Sequence, residues 1–189
     1  SVEGEITDGV GERFADRTRG VRSGDGREPT EVGPMVSEAA RNKVMRRVDD
    51  AVAKGATLVC GGRIPPQHTV GWFYEPTLFE CDRNSMKIMQ EEVFGPVLSI
   101  IRFKSDDEAV QIANDIAFGL AAGIWTQSIK RALKVSRAVR AGTVWVNTYR
   151  AISYMSPFGG FKHSGLGREN GMESIREYLE TKSVWISTA

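Results

Sequence analysis

The chain has 189 residues, a mass of 20.8 kDa and 41% hydrophobic residues, so it can bury a sizeable core without covalent staples. Its 25 basic and 24 acidic side chains leave a net charge of +1, which argues against the electrostatic footprint of a nucleic-acid binder, and no Lys/Arg block suggests a basic membrane-surface patch. A charged fraction of 26% argues against disorder, and the longest nearly apolar run, Ile116 to Trp125, falls well short of the ~20 residues that span a bilayer.

In chain order, the first ~34 residues are the least regular, with a turn cluster at Gly24-Asp25-Gly26-Arg27-Glu28-Pro29 and a second breaker at Gly33-Pro34. An amphipathic helix follows, with Ser37 as N-cap, Val44, Val48, Ala51 and Val52 on one face, and Gly55 at the C-terminal left-handed position. Arg41, Lys43, Arg46, Arg47, Asp49 and Asp50 read as its solvated face. Short strands are expected at Thr57–Cys60 and Phe73–Phe79, separated by a Gly- and Pro-rich loop. Val97–Phe103 is an apolar, β-branched run. Ser105-Asp106-Asp107-Glu108 then forms a capping box ahead of a helical stripe of Ala109, Ile112, Ala113 and Ile116. Ala121–Thr126 reads as a strand, Ile129–Val139 as a helix and Thr143–Asn147 as a strand. That alternation implies an α/β fold with a parallel sheet and right-handed crossovers. A last helix near Arg168–Tyr178 and a final strand, Ser183–Ser187, complete the chain.

Most chemical signatures are absent. There is no phosphate loop and no His-Glu-x-x-His, and His68 and His163 lie too far apart in sequence to suggest a paired site. Gly165-Leu166-Gly167-Arg168-Glu169-Asn170-Gly171 places its last glycine one residue late for a dinucleotide fingerprint. Cys60 and Cys81 form neither a disulfide framework nor a Cys-x-x-Cys site, so a reducing, cytoplasmic setting is the expectation. The chain starts at Ser1, as after removal of an initiator Met or excision from a longer polypeptide. Gln90-Glu91-Glu92-Val93-Phe94-Gly95-Pro96 stands out. Adjacent carboxylates repel unless one has a partner, and the Gly-Pro pair stiffens the backbone behind them. One of them can accept two hydrogen bonds from a ribose while the Phe packs on a nicotinamide. Alternatively, the segment is a helix-capping Glu and a core Phe.

Taken together, Glu91-Glu92-Val93-Phe94-Gly95-Pro96, Phe118-Gly119-Leu120-Ala121-Ala122-Gly123, Gly142-Thr143-Val144-Trp145-Val146-Asn147, Ser156-Pro157-Phe158-Gly159-Gly160-Phe161-Lys162 and Ser164-Gly165-Leu166-Gly167-Arg168-Glu169 closely resemble the C-terminal portion of the NAD(P)-dependent aldehyde dehydrogenase superfamily. The resemblance runs over essentially the whole chain. It implies that Glu92 hydrogen-bonds the nicotinamide ribose and that Phe94 lies beside the nicotinamide, with NAD as cofactor and NADP left open. It implies further that Tyr149, Arg150, Ile152 and Phe158 line the aldehyde entrance. By the same resemblance, residues 1–182 are a catalytic-domain portion and residues 183–189 an oligomerisation strand, whose Val184, Trp185 and Ile186 join a partner subunit in a homo-dimer or homo-tetramer. Arg168 and Glu180 resemble an ion pair near that interface, with an ordinary surface pair as the alternative.

The family reaction uses a cysteine thiolate that attacks the aldehyde and a glutamate that activates water. The strings that carry them, Gly-Gln-x-Cys and Glu-Leu-Gly-Gly-Lys, do not occur here; Cys60 and Cys81 match no nucleophile position. The expectation is an oxidoreductase portion downstream of its nucleophile, inactive alone, with a non-catalytic oligomerisation or regulatory module as the alternative.

Overall fold

The structure, a computed structural model, describes residues 1–3 and 7–188, so Ala189 of the expected terminal strand lies outside the described residues. It divides into two compact units, Ser1–Ile112 and Ala113–Ala189.

The first unit is a four-stranded sheet covered on both faces. β1 (Val2–Glu3), β2 (Thr57–Cys60), β3 (Thr77–Cys81) and β4 (Val97–Phe103) are ordered β1-β4-β3-β2. β4 runs parallel to both of its neighbours, and β2 is antiparallel to β3 with a bulge between Leu58 and Cys60. Because strand side chains alternate, β3 serves two cores. Phe79 and Cys81 pack with Val44, Val48 and Ala51 of helix α2 (Glu38–Ala53), whereas Leu78 packs with Ile100 and with Ala15 of helix α1 (Thr7–Arg19). Ser37 caps α2 as expected, its Oγ accepting from the Ala40 N–H at 3.1 Å, and Gly55 sits at φ +92° just past the helix. Val52 is the exception to the expected stripe and is exposed at the edge of the buried face.

Three expectations change. Helix α1 occupies the segment read as irregular: its composition is poor for a helix, and burial of Ala15 against the sheet supplies what propensity lacks. The strand expected from Phe73 begins only at Thr77, because Pro76 has no N–H to give to a ladder. Finally, β4 does not share a sheet with the strands that follow. Both of its edges are taken, by β1 and β3, so no edge is free for a later strand.

After helix α4 (Asp106–Asn114), the second unit holds two small sheets. Half of the expected capping box forms: the Ser105 Oγ accepts from the Glu108 N–H at 3.2 Å, while the Glu108 carboxylate reaches one residue past the cap and accepts from the Lys104 N–H at 2.7 Å. β6 (Ala121–Ile124), helix α5 (Ile129–Ala138) and β7 (Thr143–Val146) make the expected parallel crossover. β5 (Phe118–Gly119) pairs antiparallel with β8 (Phe161–Lys162). A Cβ on Gly142 would stand 1.6 Å from the Gly159 carbonyl oxygen, so only glycine lets the loop cross there. The expected helix over Arg168–Tyr178 is a 3₁₀ helix, Met172–Tyr178, because Asn170 and Gly171 both take left-handed φ values and interrupt anything earlier. Residues 183–188 form no strand within the chain and are exposed, having no ladder partner among the described residues.

Candidate functional site

In the first unit the route to the site starts on α2. Arg47 forms an ion pair with the Glu91 carboxylate, and the Glu91 N–H closes the short helix α3 (Lys87–Gln90) by donating to the Lys87 carbonyl at 2.8 Å. Of the two adjacent carboxylates, Glu91 is thus neutralised. Glu92 is exposed and has no hydrogen-bond or ion-pair partner among the described residues. The backbone then turns through Phe94 at φ +53°, a left-handed conformation that costs an L-residue ~1–2 kcal/mol, and leaves the ring 76% exposed.

The turn is anchored from behind. A Cβ on Gly95 would lie 2.6 Å from Val44 Cγ2 in the core, and the Pro96 carbonyl accepts from the Thr77 N–H at 2.8 Å. Glu91, Glu92, Phe94, Leu98 and Ser99 line an open cavity of about 340 Å³. Half of the alternative reading holds: Glu91 is the C-cap of α3, whereas Phe94 is exposed and is not a core residue. A free carboxylate beside a displayed aromatic face can accept hydrogen bonds from a diol and pack on a planar ring.

In the second unit β7 ends at a loop fixed by its first residue. Asn147, at φ +52°, exchanges two hydrogen bonds with the Thr126 backbone, at 2.9 and 2.8 Å. Tyr149 lies edge-on to Trp145, with centroids 5.4 Å apart, and 6.3 Å from Trp125. The Trp145 indole N–H donates to the Ala151 carbonyl at 2.8 Å. Arg150, at φ +59°, holds its guanidinium 5.3 Å from the centre of the Tyr149 ring. Ile152 is exposed in the same loop. Phe158 sits elsewhere in this unit: it exchanges two 2.7 Å backbone hydrogen bonds with Glu169 and lines a cavity of about 580 Å³ with Arg168, Asn170 and Tyr178.

The expected Arg168–Glu180 pair is not formed. Arg168 donates to the Gly160 and Gly167 carbonyls and lies over the Phe161 ring, while Glu180 is exposed. Val184, Trp185 and Ile186 are exposed as well. Cys81 is buried, which pushes its thiol pKa up, and Cys60 is half-buried in β2; neither lines either cavity. His68 stacks on Phe73 with centroids 4.1 Å apart and bonds Ser23, a structural role. Among the described residues no cluster of His, Cys, Asp or Glu could hold a metal, and no helix is long and apolar enough to cross a membrane. Sequence reasoning missed Arg47, whose partner is 44 positions away, and the Trp125–Trp145 platform under Tyr149. The only available signal was an aromatic residue in or just after each of two successive strands.

Comparison with known proteins agrees with this architecture. Residues 1–184 match the model of the aldehyde dehydrogenase family. A betaine aldehyde dehydrogenase from Brucella anthropi is 44% identical over 178 residues, 93% of this chain and 37% of that protein. The crystal structure of a betaine aldehyde dehydrogenase from Staphylococcus aureus in complex with NAD+ superposes with a TM-score of 0.92 at 40% identity, covering 96% of this chain and 37% of that one. An aldehyde dehydrogenase variant from Bacillus cereus gives 0.92 at 38% identity, over 98% of this chain and 38% of that one. The chain therefore spans little more than a third of the length of these relatives.

Proposed function

This chain belongs to the aldehyde dehydrogenase family, and on that premise we propose that it supplies the nicotinamide-ribose hook and part of the aldehyde entrance of an NAD-dependent enzyme that oxidises an aldehyde to a carboxylic acid. The observation that carries the reading is the asymmetry of the acidic pair. Arg47 holds Glu91, so the Glu92 carboxylate is left for the ribose hydroxyls, and the strained Phe94 offers its ring to the nicotinamide. The residues present fit the cofactor: a carboxylate without an internal partner and an exposed aromatic face stand on the rim of one open cavity. When bound, NAD accepts the hydride released in the oxidation. Glu92 binds and orients the ribose, and Phe94 covers one face of the ring.

The nucleophile and general base come from residues outside this chain, whose two cysteines line neither cavity. Tyr149, Arg150, Ile152 and Phe158 contribute to substrate access. Betaine aldehyde, in the names of relatives, carries a quaternary ammonium that the Arg150 charge disfavours. Val184, Trp185 and Ile186 add to a partner subunit's sheet in a homo-oligomer. A residue held in a costly conformation in order to be exposed has no use in a purely structural module. The test is Glu92→Gln in the full-length enzyme. The amide keeps the shape and loses charge-assisted bonds of roughly 1.5–3 kcal/mol, so KM for NAD+ should rise and hydride transfer should slow. Unchanged kinetics and unchanged NAD+ affinity would refute the role.

A further inference from the structure

Resting on the reading that the loop after β7 faces the aldehyde, we infer that Arg150 selects an aldehyde bearing a carboxylate at its far end. The guanidinium is preorganised from three directions. The residue itself is held at φ +59°, where a side chain with a Cβ is rarely found. Asn147 and Trp145 clamp the loop on either side through their bonds to the Thr126 backbone and the Ala151 carbonyl. Tyr149, itself braced edge-on by Trp145, gives the guanidinium an aromatic face to lie over.

No carboxylate pairs with Arg150 among the described residues, whereas Arg17, Arg47, Arg63 and Arg102 each hold one. An arginine that lies over a ring keeps its N–H fork directed outward. The fork matches a carboxylate in bidentate geometry, and its permanent charge repels a cationic substrate. Succinic semialdehyde and butanal share a four-carbon chain and differ only in whether the far end is a carboxylate or a methyl, whereas betaine aldehyde carries a cation there.

The experiment uses the full-length enzyme and NAD+, following NADH formation with succinic semialdehyde, butanal, betaine aldehyde and glyceraldehyde 3-phosphate. Succinic semialdehyde is expected to exceed butanal in kcat/KM by at least about ten-fold, chiefly through KM, with betaine aldehyde the poorest. In Arg150→Gln the succinic semialdehyde to butanal ratio should fall about ten-fold, and Arg150→Lys should restore part of it, because the charge returns without the fork. Equal efficiencies for succinic semialdehyde and butanal overturn the inference, as does a ratio that Arg150→Gln leaves unchanged. A preference for the phosphate ester over the carboxylate overturns the carboxylate assignment. Failure to oxidise any of the four overturns the aldehyde-oxidation reading itself and this inference with it.

Discussion

Two phenylalanines fifteen positions apart separate function from stability. Phe79 is fully buried between α2 and the sheet, and Phe94 is 76% exposed at φ +53°. Truncating a buried Phe to Ala costs ~3–5 kcal/mol, so Phe79→Ala should unfold the protein markedly earlier on heating. For Phe94→Gly three small terms compete. Only about a quarter of the ring is buried, so at ~1.5–3 kcal/mol for full burial the loss is about 0.5 kcal/mol. Relief of the left-handed backbone returns ~1–2 kcal/mol. The extra freedom of glycine in the unfolded chain takes back ~0.4–1 kcal/mol. The net change should lie within about 1 kcal/mol of zero.

The same substitution removes the aromatic face offered to the nicotinamide. At ~0.5–1.5 kcal/mol for an aromatic contact, KM for NAD+ should rise roughly 2- to 12-fold. Calorimetry of the full-length enzyme without cofactor, together with KM for NAD+, reads both quantities. A Tm for Phe94→Gly as low as that of Phe79→Ala, or an unchanged KM, would show that Phe94 is a packing residue and refute the argument.

Burial raises the Cys81 thiol pKa, so its thiolate fraction near neutral pH is small and iodoacetamide should label it slowly until the protein unfolds; Cys60→Ala and Cys81→Ala should leave turnover in the full-length enzyme intact, as mass spectrometry and NADH formation would show. The Tyr74 phenol is pushed up to about 12, first by burial and then by the charges of Asp49 and Glu75. An acid raised in the folded state contributes stability that is fully present below its unfolded value near 10 and is lost as pH rises towards 12, so Tyr74→Phe should flatten the alkaline limb of a Tm-against-pH curve.

Legibility in the sequence followed the range of the interactions. Ser37, Gly55 and the Ser105–Glu108 pair act within four residues of the helix ends they define, and the helices they bound appeared there, although α4 stops at Asn114, short of the Ile116 expected in its stripe. β4 was legible as a mainly apolar, β-branched run interrupted by Ser99 and Arg102, but its neighbours were not. Pairing is a contest for edges, and β1, read as part of an irregular region, takes one edge while β3 takes the other. Helix α1 was hidden because its support is Ala15 packed beneath Leu78 and Ile100, contacts more than sixty residues away in sequence. At the site, the Glu-Glu pair announced an electrostatic problem. Its solution, Arg47, stood among six charged residues that all looked equally solvated. The left-handed φ values of Phe94 and Arg150 had no sequence signal, since neither is glycine or asparagine, the residue types that favour that region.

The end of the chain carries the last prediction. Among the described residues of the second unit, Ala132 is the only buried hydrophobic side chain, and Trp185 is 94% exposed. A segment reading Val-Trp-Ile is rich in β-branched and aromatic residues but forms no strand within the chain, and the proposed homo-oligomer gives it an edge to join. Alternation puts Val184 and Ile186 on one face and Trp185 on the other, so pairing with a second subunit can bury both faces. At ~1.5–3 kcal/mol per large apolar side chain, three such residues contribute several kcal/mol per protomer towards association. Val184→Asp with Ile186→Asp places two like charges on one face, and each also forfeits its share of that burial. Light scattering of the full-length enzyme should therefore show a homo-oligomer, and the double variant should show a smaller species at the same concentration. A monomeric wild-type protein, or a double variant of unchanged mass, would mean that these side chains are spent within one subunit instead.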